Sequence, residues 1–147
     1  MQGQFTQRMA AAMQAAGDLA VAQRCPELFT THLLTVLSAQ DDSTFSALLV
    51  ANGVDLKKFH DYCADRSRTL PPVSGTPVVS VQPSQENAAL LQGASFEMRE
   101  LGDSRIGTEH VLLAALKYRG GKSAWALFNL TYPAVRDSLA SVRNATA

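Results

Sequence analysis

The feature that most constrains this chain is an internal repeat. Sliding the sequence by 78 residues aligns Thr30-Thr31-His32-Leu33-Leu34 with Thr108-Glu109-His110-Val111-Leu112. The same shift superimposes apolar and helix-capping residues elsewhere: Thr6 on Ser84, Met13 on Leu91, Ala16 on Ala94, Leu28 on Ile106 and Leu49 on Leu127. One register therefore serves the whole length, which is typical of a duplicated structural unit that has since diverged.

The first copy predicts four helices. In the first of them Met9, Met13, Ala16 and Ala20 recur at spacings of three and four, which places them on one face of a helix that ends near Gln23. The expected caps of the first, second and fourth helices are Thr6, Thr30 or Thr31, and Asp55, and the third helix is expected to follow Asp41-Asp42-Ser43. Asn52-Gly53 is predicted to end the third helix, and the fourth is expected to run toward Arg68.

The second copy predicts the same series. Ser84 and Thr108 are the expected caps of its first two helices. The buried face of the helix after Ser84 is predicted to carry Leu91, Ala94, Met98 and Leu101. Gly120-Gly121 is expected to break the chain before a short helix through Trp125 and Leu127, and Pro133 fits the first turn of the last helix.

A proline-rich segment separates the two copies. Residues 70–77 contain three prolines and a glycine, which excludes a helix there, and residues 78–81 are the only part where extended chain is expected. We therefore predict one all-α domain over residues 1–147, a bundle of eight helices in two pseudo-symmetric four-helix repeats. The predicted boundaries are about 5–69 for the first repeat, 70–83 for the linker and 84–143 for the second.

Composition and net charge limit the kinds of molecule that the chain is expected to bind. Hydrophobic residues make up 46% and charged residues 18%, as in ordinary globular domains. Lys plus Arg equals Asp plus Glu at 13 each, so nothing favours nucleic acid or an anionic membrane surface. Ala20-Val21-Ala22 has the form of a signal-peptidase site, but Gln14 and Asp18 interrupt the apolar stretch before it. An amphipathic helix in a cytoplasmic protein is the preferred interpretation.

No pattern in the sequence predicts catalysis, a cofactor or a metal site. Gly121-Lys122-Ser123 has the ending of a phosphate-binding loop but lacks the earlier glycine and follows a predicted helix, so we interpret it as a turn. His32 and His110 stand at equivalent helix starts without other ligands at metal-binding spacing, which favours a structural role. Cys25 and Cys63 are interpreted as buried or half-buried free thiols, and the chain is not expected to be an enzyme.

Several segments carry a resemblance to a known family. They are Phe5-Thr6, residues 30–34, residues 49–56 (Leu-Val-Ala-Asn-Gly-Val-Asp-Leu), Leu101-Gly102-Asp103 and residues 106–113 (Ile-Gly-Thr-Glu-His-Val-Leu-Leu). In these the chain resembles the Clp N-terminal domain of Clp AAA+ ATPases, with similarity to the ClpC and ClpA types. Residues 70–76 and 81–85 are similar to the ClpB branch in particular.

The resemblance implies a function that the patterns alone do not. Domains of this kind form helical bundles that are mobile on a hexameric ATPase. They recruit unfolded or aggregated polypeptides, or adaptor proteins, and pass clients to the ATPase rings. A stand-alone accessory protein that modulates a Clp chaperone or protease is the alternative, and we expect the isolated domain to be a monomer.

The resemblance also implies site residues. The polar cluster of the ClpB branch matches Thr6, Asp103 and Glu109, and its apolar groove matches Leu91. ClpC reads phosphoarginine in each half with a hydroxyl residue and a glutamate. Ser84 and Glu109 match that pair in the second half, whereas the first half has Thr6 but Thr31 in place of the glutamate. The alternative role is structural, with Thr6 and Ser84 as caps and Glu109 stabilising a helix start.

Overall fold

The computed structural model describes residues 4–40, 43–69, 81–118 and 128–146. Seven helices lie in these ranges: α1 (Gln7–Ala22), α2 (Thr30–Ala39), α3 (Thr44–Ala51), α4 (Leu56–Arg68), α5 (Gln85–Glu100), α6 (Thr108–Tyr118) and α7 (Tyr132–Thr146). The all-α class is confirmed. The predicted helix through Trp125 and Leu127, the turn at Gly121-Lys122-Ser123 and most of the predicted linker lie outside the described residues. Within them, no helix is long and apolar enough to cross a membrane.

Four of the helix starts have side-chain caps, and three of these, at α1, α4 and α5, are the predicted ones. The side chains of Thr6, Ser43, Asp55 and Ser84 each accept the backbone N–H of the residue three positions further on. These bonds satisfy amide groups that have no partner inside the helix. The predicted stop at Gly53 is also confirmed, because its φ of 80° is a left-handed conformation that glycine accepts without strain.

The starts of α2 and α6 differ from the prediction. The backbone N–H of Phe29, the N-cap residue of α2, donates to Nδ1 of His32 at 3.0 Å, and the N–H of Gly107 donates to Nδ1 of His110 at 2.7 Å. Each histidine thus takes the part that Glu or Gln plays in a capping box. The prediction of threonine caps here is wrong, and the structural role of both histidines is confirmed.

A small parallel sheet was not predicted. Strands β1 (Glu27–Leu28) and β2 (Gln82–Pro83) pair with each other, and Phe5 forms a similar isolated bridge with Ile106. The expectation that only the linker would be extended is therefore wrong, because β1 lies in the loop that follows α1. The end of the linker is extended, but its strand begins at Gln82.

The sheet pairings cross between the two halves. The N–H of Ser84 donates to the carbonyl of Leu28 at 2.9 Å, and the N–H of Thr6 donates to the carbonyl of Ile106 at 3.0 Å. Both donors and both acceptors are related by the shift of 78 residues. The segment before α1 therefore pairs with the loop after α5, and the segment before α5 pairs with the loop after α1. This reciprocal exchange brings Thr6 to the second half.

The loops that follow α1 and α5 have the same conformation. Arg24 has φ of 59° and Gly102, its equivalent, has φ of 75°. In the next position the N–H of Cys25 donates to a carbonyl in α1 at 2.8 Å, and the N–H of Asp103 donates to the carbonyl of Met98 in α5 at 3.0 Å. In each half the residue with positive φ reverses the chain after the helix. In the second half this reversal fixes the backbone position of Asp103.

One apolar core joins the two halves. Helix α3 of the first half packs against α6 and α7 of the second, and the N–H of Phe45 in α3 donates to the hydroxyl of Thr108 at 3.1 Å. Leu34 and Leu112, which the repeat predicts to be equivalent, are 7% and 0% exposed. Both cysteines are buried free thiols, and burial raises the pKa of Cys63 to about 12.

The predicted buried face of α5 is confirmed only at Ala94, and the other three residues pack at the edge of the core. The helix buries Asn87, Leu90, Gly93, Ala94 and Glu97, whereas Leu91, Met98 and Leu101 are half-buried. Two adjacent leucines allow two helical registers in the sequence, and the fold uses the register of Leu90.

We predict that replacing Leu112 with alanine lowers the free energy of unfolding by about 2–5 kcal/mol, because the fully buried side chain would leave a cavity. Val50→Ala is the control, since Val50 in α3 is 57% exposed, and it should change stability by less than about 0.5 kcal/mol. Urea denaturation followed by circular dichroism measures both. Equal losses in the two variants would contradict the burial assigned to Leu112.

Candidate functional site

A shallow depression of about 420 Å³ lies where the α5–α6 loop, the start of α6 and the last turn of α7 meet the residue that caps α1. It is lined by Thr6, Asp103, Ser104, Arg105, Glu109, His110 and Arg143. Three of the five predicted site residues, Thr6, Asp103 and Glu109, are therefore brought together. We call this depression the charged corner.

The imidazole of His110 connects the charged corner to the backbone. Its Nδ1 accepts the N–H of Gly107, so the ring proton is on Nε2, which lies 2.7 Å from Oδ2 of Asp103 and donates to it. The ring itself is buried. A capping contact and a carboxylate contact thus fix the orientation of Asp103.

Arg143, in the last turn of α7, bridges the two carboxylates of the charged corner. Its Nη2 is 2.7 Å from Oδ2 of Asp103 and 3.1 Å from Oε2 of Glu109, and its Nη1 is 3.5 Å from Oδ1 of Asp103. The exposed fractions of the side chains are 29% for Asp103, 14% for Glu109 and 34% for Arg143. The carboxylates are therefore partly buried and already hold a guanidinium group, which the sequence did not predict.

The environment of Asp103 favours its charged form. Burial alone would raise the pKa of this carboxyl, but the hydrogen bonds and positive charge of Arg143, together with the hydrogen bond from His110, lower the pKa below its ordinary value. Burial alone would lower the pKa of the Arg143 guanidinium, but the hydrogen bonds and negative charges of Asp103 and Glu109 raise it above its ordinary value. Asp103 is therefore ionised at neutral pH, beside the charged guanidinium of Arg143.

A glycine makes room for Glu109. A Cβ atom at position 107 would overlap Oε1 of Glu109 and would lie 3.5 Å from Cγ2 of Thr6. Thr6 therefore borders the site of Glu109, although the two residues belong to different halves. Ser84, which the resemblance pairs with Glu109, is not among the residues that line the charged corner.

Ser84 and Leu91 lie away from the charged corner. Ser84 is buried, caps α5 and pairs through its backbone with Leu28. Leu91 is half-buried on α5 and lies one and two turns before Ser95 and Met98. Ser95 and Met98 line a groove of about 170 Å³ together with Gln4, Arg99, Ser104 and Ile106. The groove and the charged corner share Ser104. Leu91 is not among the residues that line the groove.

The equivalent position in the first half is neutral. His32 accepts the N–H of Phe29 on Nδ1, and its Nε2 lies 3.2 Å from Oε1 of Gln23. Gln23 in turn donates to the hydroxyl of Ser67 in the last turn of α4, at 3.1 Å. Burial lowers the pKa of His32, which keeps this ring uncharged at neutral pH. Both halves therefore tie a last helical turn to a capping histidine, but only the second uses charges.

A wider cleft of about 620 Å³ lies on the other side of α4, between this helix and Phe128-Asn129. Two of its acidic side chains, Asp61 and Asp65, form exposed ion pairs with Lys57 and Arg68 one turn away on the same helix. Such exposed pairs are screened by solvent and contribute little to stability. The cleft is larger than the charged corner but holds no buried charge.

One further carboxylate is fully buried, at Glu97 in α5. Its Oε1 accepts the hydroxyl of Tyr132 at 2.5 Å, and Lys117 and Arg136 approach its oxygens to 3.6 and 4.0 Å. Burial raises the pKa of Tyr132. This cluster ties α7 to α5, so we interpret it as structural.

Comparisons with known proteins identify the fold. A family model, the Clp repeat (R) N-terminal domain, matches residues 4–129. The chain belongs to this family. The chaperone protein ClpB 1 of Parasynechococcus marenigrum is 32% identical over 141 residues, which is 95% of this chain and 16% of that relative. The chain thus spans about a sixth of the length of the relative.

Solved structures have the same fold as this Clp N-domain. The N-terminal domain of Hsp104 from Candida albicans aligns with a TM-score of 0.80 at 19% identity, over 95% of this chain and 91% of that one. A complex of the ClpV N-domain with a VipB peptide aligns with a TM-score of 0.73 at 22% identity, over 92% and 82%. At least one Clp N-domain therefore binds a partner peptide.

We predict that Gly107→Ala displaces Glu109 from Arg143 in this Clp N-domain, because the new methyl group would occupy the position of Oε1. The expected loss of unfolding free energy is about 0.5–1.5 kcal/mol, the size of one hydrogen bond. Thermal melts of Gly107→Ala, Glu109→Ala and the double variant test this. In the Glu109→Ala background the glycine substitution should cost much less, and an undiminished cost there would contradict the steric explanation.

We predict that Asp103 makes the domain sensitive to acid. Its folded-state pKa is lowered, so its contribution to stability is complete above the unfolded value of about 3.9 and is lost as the pH falls through the folded value. Urea denaturation between pH 7 and pH 2.5 should show a shallower acid decline for Asp103→Asn than for the wild type. Parallel declines would show that Asp103 does not titrate differently on folding.

Proposed function

We propose that this chain is the N-terminal substrate- and adaptor-binding domain of a Clp-type ATP-dependent chaperone. In this role it recruits unfolded or aggregated polypeptides to hexameric ATPase rings in the cytoplasm, and it is itself non-catalytic. The family match, the ClpB relatives and the peptide complex of the ClpV N-domain support this function. We assign client contact to the charged corner, with Thr6, Asp103 and Glu109 as its contact residues.

The contrast between the two halves carries this assignment. The first half ties its last helical turn with His32, Gln23 and Ser67, which are neutral. Folding therefore does not require charges at this position. The second half nevertheless places two partly buried carboxylates there, beside an open depression. Charges that the fold does not need are typical of a binding surface.

The chemistry of the charged corner fits a cationic client side chain. Asp103 and Glu109 accept charge-assisted hydrogen bonds from Arg or Lys. The adjoining groove, lined in part by Met98 and Ile106, offers an apolar surface on the other side of Ser104. An unfolded segment with a basic residue next to an apolar one would contact both parts, and unfolded polypeptides expose many such pairs. Leu91 and Ser84 contribute indirectly, by positioning α5.

We predict that Asp103→Asn combined with Glu109→Gln weakens binding of an unfolded client by about tenfold or more, since a buried charged contact contributes about 2 kcal/mol or more. Reduced, carboxymethylated lactalbumin in fluorescence anisotropy serves as the client. The matched control is Asp61→Asn with Asp65→Asn, which removes the same charge from the cleft on α4. The control should bind like the wild type.

The stability of the double variant separates binding from folding. Both carboxylates are partly buried and bonded to Arg143, so the variant should lose about 1–3 kcal/mol but remain folded at 20 °C. Normal client affinity in the folded variant would refute the assignment of the site. Loss of affinity in the control instead would place the client on α4.

A further inference from the structure

The proposed client site is already occupied by a group of the chain itself. The guanidinium of Arg143 bonds both carboxylates of the charged corner, Asp103 at 2.7 Å and Glu109 at 3.1 Å. A client arginine would have to use the same oxygens. Arg143 therefore stands in the position of the cation that the site is proposed to bind.

We propose that Arg143 is a built-in competitor that must leave the carboxylates before a client cation binds. This inference rests on the proposed function and adds its regulation. Affinity is set by the exchange of one guanidinium for another, and only the fraction of molecules with Arg143 displaced is competent to bind. While Arg143 holds the carboxylates, cationic ligands that bind weakly do not displace it. Segments that also make contacts in the adjoining groove bind tightly enough to do so.

The geometry makes the exchange feasible. Arg143 is 34% exposed and lies in the last turn of its helix, so rotation of its side chain would carry the guanidinium toward solvent. An incoming guanidinium makes the same charge-assisted bonds, so the exchange conserves the number of ion pairs. The Nε2–H bond from His110 holds Asp103 in place during the exchange.

Displacement of Arg143 also affects the last turn of α7. In the first half a neutral hydrogen bond from Gln23 to Ser67 holds the last turn of α4. An incoming cation does not compete for this bond. In the second half the last turn of α7 is tied to the charged corner through Arg143. Client binding is therefore expected to release this turn and to raise the hydrogen-exchange rates of its backbone amides.

The test compares Arg143→Gln with Arg136→Gln. Arg136 lies on the same helix and approaches a carboxylate, Glu97, away from the charged corner. The probe is a fluorescein-labelled unfolded peptide of arginine and leucine residues, followed by anisotropy at constant salt. We expect Arg143→Gln to bind about tenfold more tightly than the wild type, because the competitor is gone. Arg136→Gln should bind like the wild type.

The same substitution in the background of Asp103→Asn with Glu109→Gln should have no effect, because competition requires the carboxylates. If Arg143→Gln does not fold, Arg143→Lys replaces it, since an ammonium group bridges two carboxylates less well than a planar guanidinium. Hydrogen exchange of the wild-type chain with and without peptide gives a second measurement that needs no variant.

Unchanged or weaker binding by a folded Arg143 variant would overturn the inference. Peptide binding that leaves the exchange rates of the last turn of α7 unaltered would overturn it as well. The proposed function fails in a different way, when the peptide binds equally well after both carboxylates are removed. Loss of binding in that variant without a gain in Arg143→Gln would refute the competitor alone.

Discussion

Two backbone pairings, Thr6 with Ile106 and Ser84 with Leu28, place each half of this domain against the other. The position of the charged corner depends on the first of them. They align the start of α1 with the α5–α6 loop, so that a capping threonine from one half borders a glutamate from the other. Side-chain packing then joins the halves through one apolar core. The charged corner is consequently a product of the exchange and belongs to neither half alone.

The capping histidines show how one structural device can acquire a second use. His32 and His110 make the same backbone contact at the starts of α2 and α6. Beyond that contact the first ring meets an amide and the second a carboxylate. The fold is satisfied by the neutral arrangement, so the charged arrangement is free to vary with the requirements of a partner. Duplicated folds provide this internal comparison, because each half is a control for the other.

Sequence rules predicted the parts of this structure that are local. Thr6, Asp55 and Ser84 cap helices as expected, because a capping bond spans three residues. They failed at α2 and α6, where the predicted threonine lies inside the helix and a histidine accepts the N–H of the residue before it. The buried face of α5 was predicted only in part, since adjacent leucines fit two registers.

The candidate site was predictable only in part. Asp103 and Glu109 flank one loop, and their residue types match a known motif. Arg143 had no such signal, because the repeat places Asp65 at its equivalent position and because its partners are distant in sequence. Thr6 was grouped with Asp103 and Glu109 through the resemblance, but the strand exchange that brings it to them was not predicted, since a crossing of strands is invisible when each repeat is considered separately.

The crossing of strands also has a consequence for synthesis. Thr6 leaves the ribosome early, but the carbonyl it bonds belongs to Ile106. Until that loop emerges, the start of α1 lacks its partner strand and the first half lacks the α3 contacts made by α6 and α7. Such non-local contacts form late, and incomplete chains expose apolar surface in the interval. A domain proposed to bind unfolded polypeptides is thus itself, while nascent, a polypeptide of the kind that chaperones bind.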